Sequence, residues 1–124
     1  MHNDVPDGYP QAIQRLRKWG GEQLVREMAE LFITDAPRRI ARAQAAATRG
    51  EWANVESEAH SLKSSCGQMG AQRMRDICTE IEIHAAGANH IPIALLLSSL
   101  DEEFASFGVW LDHFTSNVND TTHE

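Results

Sequence analysis

Beyond Arg75 the chain carries no lysine or arginine. All eleven basic residues lie between Arg15 and Arg75, nine of the eighteen acids lie from Asp76 onward, and the formal net charge is −7. That balance excludes nucleic acid as the expected partner, since gripping phosphates takes a basic footprint. The uneven placement predicts one mildly basic and one strongly acidic region, able to orient a charged partner, with plain solvated helix faces as the alternative. Long apolar runs are missing too. The stretch Ile91 to Leu97 falls well short of the ~20 residues that span a bilayer. The opening "MHNDVPDGYP" has no basic segment ahead of an apolar one, so secretion is not expected and the cytoplasm is the default location. Cysteine is scarce. Cys66 and Cys78 form no CxxC pair and have no histidine at zinc-ligand spacing; both sit among apolar residues at helical spacing, as buried free thiols do. Alternating β-branched runs are absent, so no strand is expected.

What remains is helical periodicity, repeated along 124 residues that are 42% hydrophobic and 23% charged, enough for one core without staples. A short helix starts near Pro10, with Ile13, Leu16 and Trp19 inward, and stops at Gly20-Gly21. A second runs from Glu22 with Leu24, Val25, Met28, Leu31 and Phe32 on one face, is expected to kink or restart at Pro37, and continues through Ile40 and Ala47 to Gly50. The third carries Trp52, Val55, Ala59, Leu62, Cys66 and Met69 and breaks at Gly70. The fourth carries Met74, Ile77, Cys78, Ile81 and Ala85 and ends at Gly87. After a short loop, Pro92 opens the last helix, whose stripe is Ile93, Leu96, Leu97, Leu100, Phe104, Phe107, Leu111 and Phe114. The expected fold is all-α, an antiparallel four-helix bundle with an additional short N-terminal helix. Residues 9–115 form the domain, and 1–8 and 116–124 are polar, flexible ends.

One stretch of the third helix breaks the ordinary pattern. "EAHSLKSSCGQMGA", Glu58 to Ala71, places Ser, Ser and Gly in a helix interior just after a histidine and a lysine. At 100° per residue, His60 falls about 125° from the centre of the buried stripe, on the flank of the helix. Its neighbours on that face are Glu56, Lys63, Ser64 and Gly67, with Gln68 alongside. A mid-helix glycine is worse than alanine by roughly 1 kcal/mol, whereas burying Leu62 or Met69 returns ~1.5–3 kcal/mol each. The helix survives, but the small residues do not stabilise it; they leave room for another protein to approach the imidazole. A water-exposed imidazole titrates near pH ~6.5, so at pH 7 one ring nitrogen offers a lone pair and can act as a nucleophile. Lys63 is a compact cation suited to the oxygens of a transferred anionic group. A phosphoryl group fits both residues.

This segment resembles the signature of histidine-containing phosphotransfer (HPt) domains, an Ala-His-x-Leu-Lys-Gly/Ser run followed by small residues and Gly-Ala. The matching positions are Ala59, His60, Leu62, Lys63, Ser64, Gly70 and Ala71. "GEWANVESEAH" ahead of it and "RMRDICTEIE" behind it are similar to the family as well, and the resemblance extends over about residues 10 to 114. Ser64 departs from the commoner Gly, and Gly67 and Gln68 depart from Ala-Asn; all three keep the surface low. The resemblance implies that His60 takes a phosphoryl group from an aspartyl phosphate on a receiver domain and passes it, reversibly, to another receiver in a multistep phosphorelay. It implies Lys63 as the stabiliser of phosphoryl charge, with Glu56, Ser64, Gly67 and Gln68 in the partner-binding surface. Partners are then receiver domains of response regulators and hybrid sensor kinases, the chain acts as a monomer, and Mg²⁺ belongs to the receiver, with no cofactor or metal held by this chain.

No Walker loop and no kinase glycine loop is present, so a phosphoryl carrier is expected rather than an enzyme. A kinase dimerisation domain normally has an acid after its histidine; here Ser61 stands there. Cys-His catalysis is disfavoured because Cys66 lies about 120° around the helix from His60. His84 and His90 make only a His-x5-His pair, weak for a metal, and with His2, His113 and His123 they are read as surface or loop residues. The alternative from another class is a docking module that regulates a receiver or kinase without carrying phosphate.

Overall fold

The computed structural model describes residues 9–123, with side chains described for 11–111. Residues 1–8 lie outside it, and so do the side chains of Phe114 and of the expected C-terminal tail. Four helices follow one another: α1 (Tyr9–Thr48), α2 (Trp52–Met69), α3 (Gln72–Ala86) and α4 (Ile93–His123). Each packs chiefly on its two neighbours, α1 on α2 and α4, α3 on α2 and α4, which closes an antiparallel four-helix bundle. The backbone of α4 stays helical to His123, through the segment expected as a tail.

The short N-terminal helix is present as the first part of α1. Gly21 interrupts the helix at φ 70° and ψ −167°, a conformation open to glycine and strained for any residue with a Cβ. Ala12, Ile13 and Leu16 of this arm are buried in the common core, whereas Trp19, expected inward, is 72% exposed. Of the kink or restart expected at Pro37, the restart does not occur: Gly21 is the position with non-helical dihedrals inside α1, and the helix runs through Pro37. Proline there forfeits one backbone hydrogen bond, but the flanking turns are held by the Arg39–Asp35 pair at 2.7 Å and by burial of Ala36 and Ile40.

The core follows the apolar stripes. Val55, Ala59, Leu62, Cys66 and Met69 of α2 face Met74, Cys78, Ile81 and Ala85 of α3, all buried. Phe32 joins α1 to α4 through Phe104 and Phe107, with ring centroids 5.9 and 5.4 Å away. Leu31, assigned to the inward face of α1, is 59% exposed. Cys66 and Cys78 are free and buried. Their hydrogen bond, together with burial, pushes the Cys66 thiol up, so it stays protonated and unreactive. Gly70 ends α2 in the left-handed conformation (φ 74°), and the Ala71 N–H returns to the Cys66 carbonyl at 2.9 Å. This turn sends α3 back along α2 and sets their register. Among the described residues, no helix is long and apolar enough to cross a membrane.

Ile81 is fully buried, so Ile81→Ala should lower unfolding free energy by about 2–5 kcal/mol. Leu31→Ser should change it by no more than about 0.5 kcal/mol. Denaturant melts of the two variants check this.

Candidate functional site

The site lies on the open side of α2, halfway along its length. His60 projects outward with its side chain 67% exposed, as the helical repeat places it. Ser64 and Gln68 continue the exposed face, Glu56 and Gly67 are half-buried, and Lys63 leans toward α3 with 31% of its side chain exposed. The structure therefore gathers every residue singled out in the sequence on one surface. A Cβ built on Gly67 would meet only Arg75 Cδ, at 3.8 Å. Internal packing does not demand a glycine there. The missing side chain is a property of the surface and not of the α2–α3 contact.

The sequence pattern did not reveal Glu82. This residue stands on α3, one turn beyond Cys78, and its side chain is 16% exposed. Its two oxygens are divided between the two residues of interest: Oε2 lies 2.7 Å from His60 Nδ1, and Oε1 lies 2.5 Å from Lys63 Nζ. Burial acts to raise the Glu82 carboxyl, but hydrogen bonds from Lys63 and His60, backed by their charges, outweigh it and hold the carboxyl below its usual range. An ionised carboxylate only accepts, so His60 Nδ1 carries the proton and donates it. The apolar stripe of α3 passes through Cys78, Ile81 and Ala85. That stripe turns the following residue, Glu82, to the edge of the seam where α2 presents His60 and Lys63. The signal that could have found it is the acid next to Ile81 in "RMRDICTEIE", read as a position on the α2-facing flank.

On its other side the surface runs into a groove between α1 and α2 of about 330 Å³. Met28, Leu31, Phe32 and Met69 give it an apolar floor, and Asp35, Arg39, Ser65 and Gln68 give it polar edges. Arg39 is tied in place, with Asp35 at 2.7 Å and Glu58 of α2 at 3.2 Å, and Arg42 also reaches Glu58 at 3.7 Å. The basic residues of α1 are thus partly neutralised, which tempers the basic region expected from the sequence.

The other histidines stand apart. His90 lies in the loop between α3 and α4, as expected, and is half-buried with its ring stacked on Trp52 at 4.1 Å; His84 is half-buried on α3. His2, His113 and His123 have no described side chains. Among the described residues, no group of three or more His, Cys, Asp or Glu is placed to hold a metal ion.

A family model of the Hpt domain matches residues 27–107, a stretch that contains His60, Lys63 and Glu82. Among solved structures, the chain is similar to the crystal structure of histidine-containing phosphotransfer protein B (HptB) from Pseudomonas aeruginosa PAO1. The TM-score is 0.82 at 20% identity, covering 86% of this chain and 92% of that one; the likeness is one of fold. No curated protein matches the chain.

The shared carboxylate has a consequence for stability. Glu82 is more acidic folded than unfolded, so its contribution is complete above the unfolded value of 4.5 and is lost as pH falls through the lower folded value. Melts of the wild type and Glu82→Gln should therefore differ most above pH 4.5 and converge as the pH falls below it, because the glutamine variant lacks this titration.

Proposed function

The chain belongs to the Hpt domain family, and on that premise we propose that it carries a phosphoryl group on His60 between receiver domains in a multistep phosphorelay. The observation that carries this reading is an open imidazole with a cation beside it on a surface stripped of large side chains. His60 accepts the group from a receiver's aspartyl phosphate and returns it to another receiver. Lys63 offsets charge on the phosphoryl oxygens as they arrive, where electrostatic stabilisation matters most. Glu56, Ser64, Gly67 and Gln68 form the contact surface, and the groove lined by Met28, Leu31 and Met69 extends it onto α1. The receiver brings the acidic pocket and Mg²⁺. Family members are phosphocarriers rather than kinases, and in this reading the chain binds no nucleotide of its own. It acts in the cytoplasm as a monomer.

Two experiments test the proposal. A receiver domain bearing labelled aspartyl phosphate is incubated with the chain, which should acquire acid-labile, base-stable label. His60→Gln should abolish the label yet keep receiver binding, and Gly67→Leu should stay helical by circular dichroism while losing binding. A chain that binds receivers without ever being labelled is a docking module, and label retained by His60→Gln removes His60 from the mechanism. Separately, Lys63→Ala should slow transfer at saturating receiver more than it weakens docking. A wild-type rate in that variant argues against its role with phosphoryl charge.

A further inference from the structure

The relay surface occupies α2 and the adjoining flank of α1, and it leaves the outer face of α3 and α4 unused. We propose that this outer face is a separate docking surface for a basic segment of a partner protein that is apolar at one end. The apolar end rests on Ile83, Ile91 and Leu95, and the lysines or arginines pair with Asp76, Glu80 and Glu102.

Topology brings the apolar residues together. Ile83 lies in the last turn of α3, Ile91 in the loop that follows, and Leu95 in the first turn of α4. Their exposures are 63, 87 and 73%. A single exposed aliphatic side chain is ordinary, but three at the same end of a helix pair point to a contact surface. The core does not need them, because Ile81, Ala85, Ile93 and Leu97 are the buried residues at that end.

The rest of the face is acidic. α3 and α4 run antiparallel, and the Arg73–Glu103 ion pair at 3.9 Å sets their register. The start of α3 is therefore level with Glu102, and its end is level with the start of α4. Asp76 and Ile83 are seven residues apart on α3, as are Leu95 and Glu102 on α4, so each pair shares the outward face of its helix. Asp76, Glu80 and Glu102 are exposed, and none is paired with a described residue. No lysine or arginine competes for them. Arg73 is engaged with Glu103, Arg75 lies toward Gly67 of α2, and neither residue type occurs further along the chain. Glu82 is already held by His60 and Lys63.

The face is thus an aliphatic end followed by a run of carboxylates, and its complement has apolar residues at one end and cations along the remainder. Opposite charge speeds the encounter, whereas apolar burial sets how long the partner stays. Nucleic acid and anionic membrane surfaces carry the wrong sign and are repelled.

The test uses the whole chain and a fluorescent block peptide of about three helical turns, with leucines at one end and lysines along the rest. A scrambled peptide of the same composition is the control. The block peptide should bind about tenfold more tightly than the scramble, and added salt should weaken it. Ile83→Ser combined with Leu95→Ser should lower its affinity about tenfold. Glu80→Lys combined with Glu102→Lys should do the same and flatten the salt dependence. All four positions are exposed, so the variants keep the fold. A spin label on the leucine end should broaden the amides of Ile91 and Leu95, and one on the lysine end those of Asp76 and Glu102. Equal affinity for the scramble, or unchanged affinity in the Ile83 and Leu95 variant, reduces the face to plain charge and overturns the proposal. Binding lost in Leu31→Ser instead places the peptide in the α1–α2 groove and also overturns it. Self-association of the chain that Ile83→Ser and Leu95→Ser abolish gives the face to a second copy and overturns the assigned partner.

Discussion

A single carboxylate tied to two residues of the neighbouring helix organises this site. The Glu82 contacts to His60 and Lys63 form where two helices of different length meet at a fixed register, so their geometry depends on the turn at Gly70 and Ala71 and on the apolar seam below. The core residues Cys66, Cys78 and Ile81 are among the most buried in the chain. They hold α2 and α3 closely enough that a short acidic side chain reaches across. A looser seam would leave an exposed histidine with no preferred tautomer and a lysine ranging freely in solvent. Packing of apolar side chains and two buried thiols is thus what gives the surface chemistry its orientation.

Most of the architecture was legible from spacing. The apolar sets of α2 and α3 repeat every three or four residues between glycines, and the observed helices begin and end within a residue or two of those marks. The break at Gly21 was readable for the same reason, since paired glycines leave no side chain to continue an amphipathic face. The helix does not restart at Pro37 because the cost of proline is local, about one hydrogen bond, while long burial on both sides of it is cumulative. Trp19 and Leu31 misled differently. A hydrophobic residue at the border of a stripe satisfies the periodicity whether or not another helix comes to cover it, and only the packed bundle decides.

The site was legible on one helix and dark on the other. His60, Lys63, Ser64 and Gly67 share a face by helical repeat alone, so a single run of residues discloses them. Glu82 is distant in sequence, and its role depends on the relative rotation of two helices, which no periodicity within either one contains. The same applies to the groove shared by Met28 and Met69 and to the stacking of His90 on Trp52. Intrahelical patterns travel in sequence, whereas interhelical ones need the crossing angle.

The two sides of α2 share almost nothing. Val55, Leu62 and Cys66 point into the core, and Ser64, Gly67 and Gln68 point away from it. Gly67 itself touches little within the molecule. Substitutions on the outer side are therefore nearly free of folding consequences, and those on the inner side are hidden from any visitor. A lineage built this way can retune whom it talks to by small outer changes while its scaffold stays put, and paralogues can diverge in wiring long before they diverge in shape.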